Sequence, residues 1–268
     1  MDTVEILGYL GALLVGLILG LIGGGGSILT VPILVYIIGL NPIIATGYSL
    51  FVVGVTSVIG AFQNFRKGLI DLKTAILFAT PALIAVYLTR LYLVPMIPEV
   101  LFSINTFKVT NTIFIMILFA VIMFLASLSM IFSKKNKKEI DEHADIKYNY
   151  TLIAIEGIVV GVLTGLVGAG GGFLIIPALV LLAKLPMKQA VGTSLLIIAV
   201  KSLIGFLGDI QNISIDWPFL IVFTVFSIIG IIIGVYASKF ISSGKLKKGF
   251  GYFTLIMAFY IIYKELLS

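Results

Sequence analysis

The sequence predicts an all-α polytopic membrane protein made of two homologous five-segment repeats, each carrying a short helix set off by a run of glycines. Three observations predict it. The 268 residues are 60% hydrophobic and only 11% charged, with a mean hydropathy of +1.21, whereas a soluble domain carries about 25% charged residues. Apolar runs long enough to cross a hydrocarbon core of about 30 Å, roughly 20 residues each, recur along the whole chain. Residues Gly16–Gly60 also align without a gap on Gly161–Gly205, at an offset of 145, with 19 of the 45 pairs identical.

Lipid offers the backbone no hydrogen-bond partners, which leaves helices or closed barrels. The apolar runs are continuous, as in Ile113–Ile131 and Phe219–Gly234, rather than alternating, so helices are expected. The net charge of +6 is gathered in short clusters between apolar segments. That is the pattern of cytoplasmic loops, not of a nucleic-acid surface. The absence of cysteine excludes disulfides, thiolate zinc sites and iron–sulfur clusters. The opening residues Met1-Asp2-Thr3-Val4-Glu5 lack a basic region, so the first apolar segment is expected to stay in the mature chain.

In the first half, the segments fall at about 4–22, 28–40, 43–63, 73–94 and 108–132; in the second, at about 150–167, 173–185, 187–207, 218–238 and 249–267. The second segment of each half is too short to span as a helix at about 1.5 Å per residue. The organisation is thus a membrane repeat over 1–132, a charged linker over 133–149 placed in the cytoplasm by its lysines, and a second membrane repeat over 150–268.

Loop charge addresses the orientation of the repeats. Arg66, Lys67, Asp71 and Lys73 make a net positive loop, while the equivalent loop holds Asp209 and Asp216 and no base; Asp71 and Asp216 share the offset. Lys239, Lys245, Lys247 and Lys248 are matched by a region whose only charged residue before Lys108 is Glu99. Equivalent loops therefore prefer opposite sides, which implies an inverted repeat with an odd number of crossings per half and both termini outside. The short segment then either crosses with extended glycine backbone or forms a re-entrant hairpin with the segment before it. A parallel eight-helix arrangement is the alternative.

The candidate substrate site begins at the glycine clusters. Gly20-Leu21-Ile22-Gly23-Gly24-Gly25-Gly26-Ser27 faces Gly165-Leu166-Val167-Gly168-Ala169-Gly170-Gly171-Gly172, and Pro32 faces Pro177. Each glycine costs a helix about 1 kcal/mol relative to alanine, so the helix should break there. A new helix would start near Ile28 or Phe173, with its proline early enough for the missing N–H to matter little. The fresh N-terminus offers unpaired amides and a positive dipole end to an anion. The bland alternative is that the glycines only allow close helix packing. Neither cluster is a nucleotide motif, because no strand precedes it and no phosphate-gripping Lys-Ser/Thr follows.

Thr46, Ser49, Thr193 and Ser194, with Ser57 and Ser202, could offer hydroxyls to an oxyanion or simply bond between helices. Lys201 stands inside an apolar segment at the position matched by Thr56, and Glu156 inside another. Charges at such depth are functional candidates: Lys201 to neutralise an anion, Glu156 to exchange a proton, or the two as a structural pair. Gln63 and Asn64, matched by Gly208 and Asp209, read as vestibule or capping residues, and Arg90 and Lys239 as headgroup anchors. His143 is alone in the linker. No metal site and no catalytic triad can be assembled, so neither an enzyme nor a cofactor is expected.

With these blocks in view, the chain resembles the sulfite exporter TauE/SafE family over essentially its whole length. The carriers are the two glycine clusters with Pro32 and Pro177, and the block Ala190-Val191-Gly192-Thr193-Ser194-Leu195. The first half departs from that block as Ala45-Thr46-Gly47-Tyr48-Ser49-Leu50. The resemblance implies a permease of the cytoplasmic membrane that moves sulfite, a sulfonate or a related sulfur-containing anion, usually outward. A cation- or metal-coupled carrier and a non-transporting membrane scaffold are the alternatives. Monomer and homodimer are equally compatible with the sequence.

Overall fold

The computed structural model describes residues 3–24, 26–104, 107–132, 150–181, 183–238, 240 and 243–267. The linker 133–149 with His143, and Gly25 and Lys239, lie outside the described residues. The first half comprises α1 (Thr3–Ile22), α2 (Ser27–Ile37), α3 (Pro42–Phe65), α4 (Leu72–Met96) and α5 (Asn111–Phe132). The second comprises α6 (Tyr150–Val167), α7 (Gly172–Leu181), α8 (Met187–Asp209), α9 (Trp217–Ala237) and α10 (Ser243–Leu267). Among the described residues, six helices are long and apolar enough to cross a membrane: α1, α3, α4, α5, α8 and α9. The protein is an all-α polytopic membrane protein.

Helix starts follow from local chemistry. Asn41 caps α3 by accepting from the Ile43 amide, with Pro42 in the first position, where its missing N–H is harmless. Asp71 caps α4 through the Thr74 amide, and Asp216 caps α9 through the Phe219 amide. The shared offset of these acids is therefore a shared capping role. Both glycine breaks fall where expected, between Ile22 and Ser27 and between Val167 and Gly172. The prolines do not sit in the first turn. Pro32 and Pro177 are each the sixth residue of their helix, so the carbonyls of Ile28 and Phe173 lose their helical donors. In α2 the turns widen to π-helical from Ile33 onward.

Small residues set the packing. A Cβ on Gly8 would meet Ile38, one on Gly11 would meet Ile33, and one on Gly26 would meet the backbone of Val15 and Leu19. So α2 runs back antiparallel along α1. Gly16 and Gly20 let α1 run parallel to α9 against Ser227, Ile231 and Val235; Gly161 and Gly165 let α6 run parallel to α4 against Ala82, Val86 and Thr89. These are the same contacts shifted by the repeat offset. Helices α3 and α8 cross antiparallel at the centre, with Leu50 at Gly205, Gly54 at Leu203 and Gly60 at Leu195. Outward faces are apolar, as with Ile221, Val225, Ile229 and Ile232 on α9, while its inward face carries Thr224, Ser227, Gly230 and Gly234. The small and polar residues, interleaved with buried Leu220, Phe223, Ile231 and Val235, let neighbouring helices approach closely, as packing in a bilayer selects.

One element lies outside the sequence reading. A short antiparallel hairpin, β1 (Val100–Ile104) and β2 (Phe107–Thr110), joins α4 to α5. It replaces the start expected for the fifth segment near 108.

Candidate functional site

The two glycine breaks meet where α3 and α8 cross. Gly170 lies against Val53 and Ile198, near the middle of each helix, and against Ser27 at the start of α2. Gly24 and Gly172 touch backbone to backbone, with no room for a Cβ on either. The described glycines of both loops are buried. The starts of α2 and α7, whose first amides have no intrahelical acceptor, thus converge at the centre of the bundle.

From this centre each loop runs toward an opposite end of the α3–α8 crossing. Gly168 reaches Thr46 near the start of α3, and Gly23 reaches Val191 near the start of α8. Ser49 Oγ donates to the Gly168 carbonyl at 2.7 Å, and Ser194 Oγ to the Gly23 carbonyl at 3.4 Å and to Val191 O at 2.8 Å. The matched serines therefore anchor the opposite half's glycine loop. Positive φ at Gly23 (85°) and Gly168 (70°) turns the chain out of α1 and α6 at these points, a conformation that side chains disfavour. Gly170 and Gly171 are also left-handed in the second loop, at 58° and 77°. Ser27 Oγ is turned back onto the Gly24 carbonyl at 2.8 Å.

Thr193 stands apart from the loops. Its Oγ1 accepts from the Asp71 amide at 3.0 Å, and the equivalent Tyr48 hydroxyl accepts from the Asp216 amide at 2.6 Å. Tyr48 is thus a chemically matched departure from the second-half block, since each supplies a hydroxyl that holds the helix-capping loop of the other repeat. Ser57 and Ser202, equivalent residues on α3 and α8, are fully buried, with no hydrogen-bond partner for either Oγ among the described residues.

Charge is distributed unequally. Lys201 is fully buried on α8, and its Nζ donates to Thr164 Oγ1 of α6 at 2.6 Å. A Cβ on Gly171 would come within 3.0 Å of this ammonium, so glycine there leaves the space Lys201 occupies. Lys201 does not pair with Glu156. That residue sits about two helical turns before Thr164 on α6, half-buried, with Oε2 enclosed and without a hydrogen-bond partner among the described residues.

Arg90 corrects the sequence reading. It is not a headgroup anchor at a helix end, because α4 continues to Met96 and the side chain is fully buried. It occupies a π-helical turn spanning Thr89–Leu93, just ahead of Pro95, which cannot donate to the Leu91 carbonyl. Nη1 lies 3.3 Å from Asp209 Oδ2 and donates to Thr46 Oγ1 at 3.1 Å. Nε and Nη2 have no partner among the described residues, and Asp209 Oδ2 accepts no well-formed hydrogen bond. The contact is one of charge without the paired fork that guanidinium and carboxylate can form. Asp209 is likewise a buried ion-pair partner rather than a vestibule or capping residue. The equivalent Asn64 is buried with Nδ2 on the Gly60 carbonyl, while Gln63 joins Arg66, Lys67 and Tyr236 around a cavity of about 360 Å³. The available signal for Arg90 was a base seven residues inside a segment that could have continued through Pro95.

Comparison with known proteins places the chain in a family. The sulfite exporter TauE/SafE family matches residues 8–261. The chain is 29% identical to a probable membrane transporter protein of Xylella fastidiosa (strain 9a5c), over 94% of this chain and 92% of that one. It is 30% identical to the probable membrane transporter protein YunE of Bacillus subtilis (strain 168), over 76% of this chain and 78% of that one. It is 28% identical to the probable membrane transporter protein MJ0441 of Methanocaldococcus jannaschii, over 73% and 70% respectively. No solved structure matches the chain.

Proposed function

This chain belongs to the sulfite exporter TauE/SafE family of multi-pass membrane transporters, and from that premise we propose that it is a secondary carrier for a small sulfur-containing anion such as sulfite or an organosulfonate. The observation that carries the reading is the meeting of two glycine-broken hairpins at the middle of α3 and α8, where two helix N-termini converge. Broken helices of this kind, brought together from two repeats, are how carriers present backbone amides to an anion at the bilayer midplane.

In this reading the repeats are inverted. The antiparallel crossing of α3 with its equivalent α8 supports it, and so does the recurrence of the α1–α9 contacts between α6 and α4 at the offset positions. The Arg66–Lys67 end of α3 faces the cytoplasm, as does the linker 133–149, and the carrier sits in the cytoplasmic membrane. The anion would be held by the amides that open α2 and α7, by the hydroxyls of Ser57 and Ser202, and by the charge of Lys201. Gly23, Gly24, Gly26, Gly168, Gly170 and Gly171 would let the loops close around it, and Ser49 and Ser194 would hold those loops to the other half. Glu156 would carry the coupling proton. Rocking of one half on the other about the α3–α8 crossing would open the site to each side in turn.

The test is flux in proteoliposomes with sulfite, thiosulfate, taurine and sulfoacetate, alongside thermal shift of the purified protein with the same anions. Accumulation or release of at least one, lost in Gly172→Leu and reduced at least tenfold in Lys201→Met, is the expected result. Absence of flux for all four removes the proposal. Flux that is indifferent to Lys201→Met but abolished by Glu156→Gln favours a cation-coupled carrier instead.

A further inference from the structure

The interior of the described protein holds two buried cations, Arg90 and Lys201, against one buried carboxylate, Asp209. Placing charge in a bilayer is costly enough that an uncompensated excess needs a partner. The carboxylate that is present satisfies Arg90 poorly. Its contact is Oδ2 to Nη1, at 3.3 Å and without hydrogen-bond geometry, while Nε and Nη2 have no hydrogen-bond partner among the described residues at zero exposure. The group also lies beside the second glycine loop. Thr46, which accepts from Arg90 Nη1, packs on Gly168, and Gly47 packs on the Asp209 carboxylate. The opposite end of the α3–α8 crossing has no such group, because the residues equivalent to Arg90 and Asp209 are Val235 and Asn64.

We infer that Arg90 is a binding residue for the transported anion at the α3 N-terminal end of the path, and that Asp209 is a tethered carboxylate which occupies Arg90 when no anion does. The inference rests on the reading of the chain as a small-anion carrier and adds to it a specific ligand and a competitor. A guanidinium with N–H groups left over on two nitrogens presents an edge to two oxygens at once. A sulfite or sulfonate group supplies those oxygens, and so does a small carboxylate, the group that Asp209 itself brings. Entry of the anion releases Asp209, which frees α8 from α4 at this end; exit restores the contact and closes it. The ligand at this end is therefore selected by shape as well as charge, since lysine in place of arginine would lose the fork.

The experiment compares wild type, Asp209→Asn, Arg90→Lys and the double variant Arg90→Gln/Asp209→Asn in anion titrations by thermal shift and in proteoliposome flux, with sulfite, taurine and acetate as probes. Removing the tethered competitor in Asp209→Asn should tighten apparent anion affinity about tenfold, and acetate should become a visible ligand. Arg90→Lys should fold, bind at least tenfold more weakly and lose discrimination between sulfite and acetate. The double variant has no buried charge to strand; it should fold and bind nothing at this end. Unchanged affinity in either Asp209→Asn or the double variant, beside a wild type that binds, overturns the inference and leaves the anion carrier standing. If Asp209→Asn does not fold, the double variant and Arg90→Lys decide the matter in the same way. Anion binding that depends on Arg90, without flux of any anion in any variant, upholds the inference and removes the transport reading.

Discussion

The two ends of the α3–α8 crossing have the same backbone and different chemistry. At one end a left-handed glycine, Gly168, packs on Thr46, with Arg90 and Asp209 behind it; at the other, Gly23 packs on Val191, with Val235 and Asn64 behind it. Each end has a serine on the glycine carbonyl and a hydroxyl on the capping loop of the other repeat. The two ends share one backbone frame, and the Arg90–Asp209 pair stands at one of them. A carrier with two equivalent ends would have no built-in difference between its two faces, so the unequal charge is where direction and selectivity can be encoded.

The sharpest way to break this comparison is to remove one charge. Asp209→Ala strands a buried guanidinium and should lower stability by about 3–5 kcal/mol. The equivalent Asn64→Ala loses one hydrogen bond and should cost about 1 kcal/mol. Thermal or denaturant unfolding in detergent measures both. Equal losses would mean that the two ends carry the same load, and the asymmetry would lose its meaning.

A smaller contrast lies in the glycines. Alanine at Gly168 would be strained at φ 70° and would also meet the backbone and Cβ of Thr46, whereas at Gly23 the nearest obstacle is the Val191 side chain. Left-handed strain alone costs about 1–3 kcal/mol, so Gly168→Ala should fall at or above the top of that range and Gly23→Ala nearer its lower end. Gly68, with φ 66° and open space around it, is the control for strain without contact. Smaller again are the serines. Ser49→Ala gives up a 2.7 Å bond and Ser194→Ala a 3.4 Å one to the loop. Near the membrane average of about 0.6 kcal/mol per such bond, the first should exceed the second by a few tenths.

Much of this frame was legible in the residues. The glycine breaks and the short helices follow from propensity, because each is a local preference written twice; of Asp71 and Asp216 the residues showed the shared offset, not the capping role. Lys201 was legible for a different reason: a single charge in the middle of an otherwise unbroken apolar run has no innocuous placement. Arg90 was not, since Pro95, Pro98 and Glu99 suggested that the segment was ending. A π-helical turn let α4 carry on past that point and swing the guanidinium inward, and that outcome depends on Thr46 and Asp209, which lie far off in the chain. The bond from Thr193 to the Asp71 amide was equally hidden, because a hydroxyl near a glycine cluster looks the same whether it faces substrate or a neighbouring loop. The hairpin at 100–110 has no period-two signal strong enough to stand out between two apolar helices.

The smallest expected effect separates steering from binding. Arg66 is exposed at the end without the Arg90–Asp209 pair, stacked 5.8 Å over the Phe62 ring beside the cavity that Gln63 and Tyr236 line. Its charge can raise the local concentration of an anion but is bathed in solvent, where the screening length is about 10 Å at 0.1 M salt and about 3 Å at 1 M. Arg66→Gln should therefore slow flux from its own side by about two- to threefold at low ionic strength. The effect should vanish at high salt, with stability changed by no more than about 0.5 kcal/mol. A change at Arg90 or Asp209 should persist at every salt concentration, because those groups are out of reach of mobile ions. Initial flux rates at two ionic strengths, measured from each side of oriented proteoliposomes, distinguish the two behaviours. A salt-independent defect in Arg66→Gln would place that residue in the binding site and move charge to both ends of the crossing.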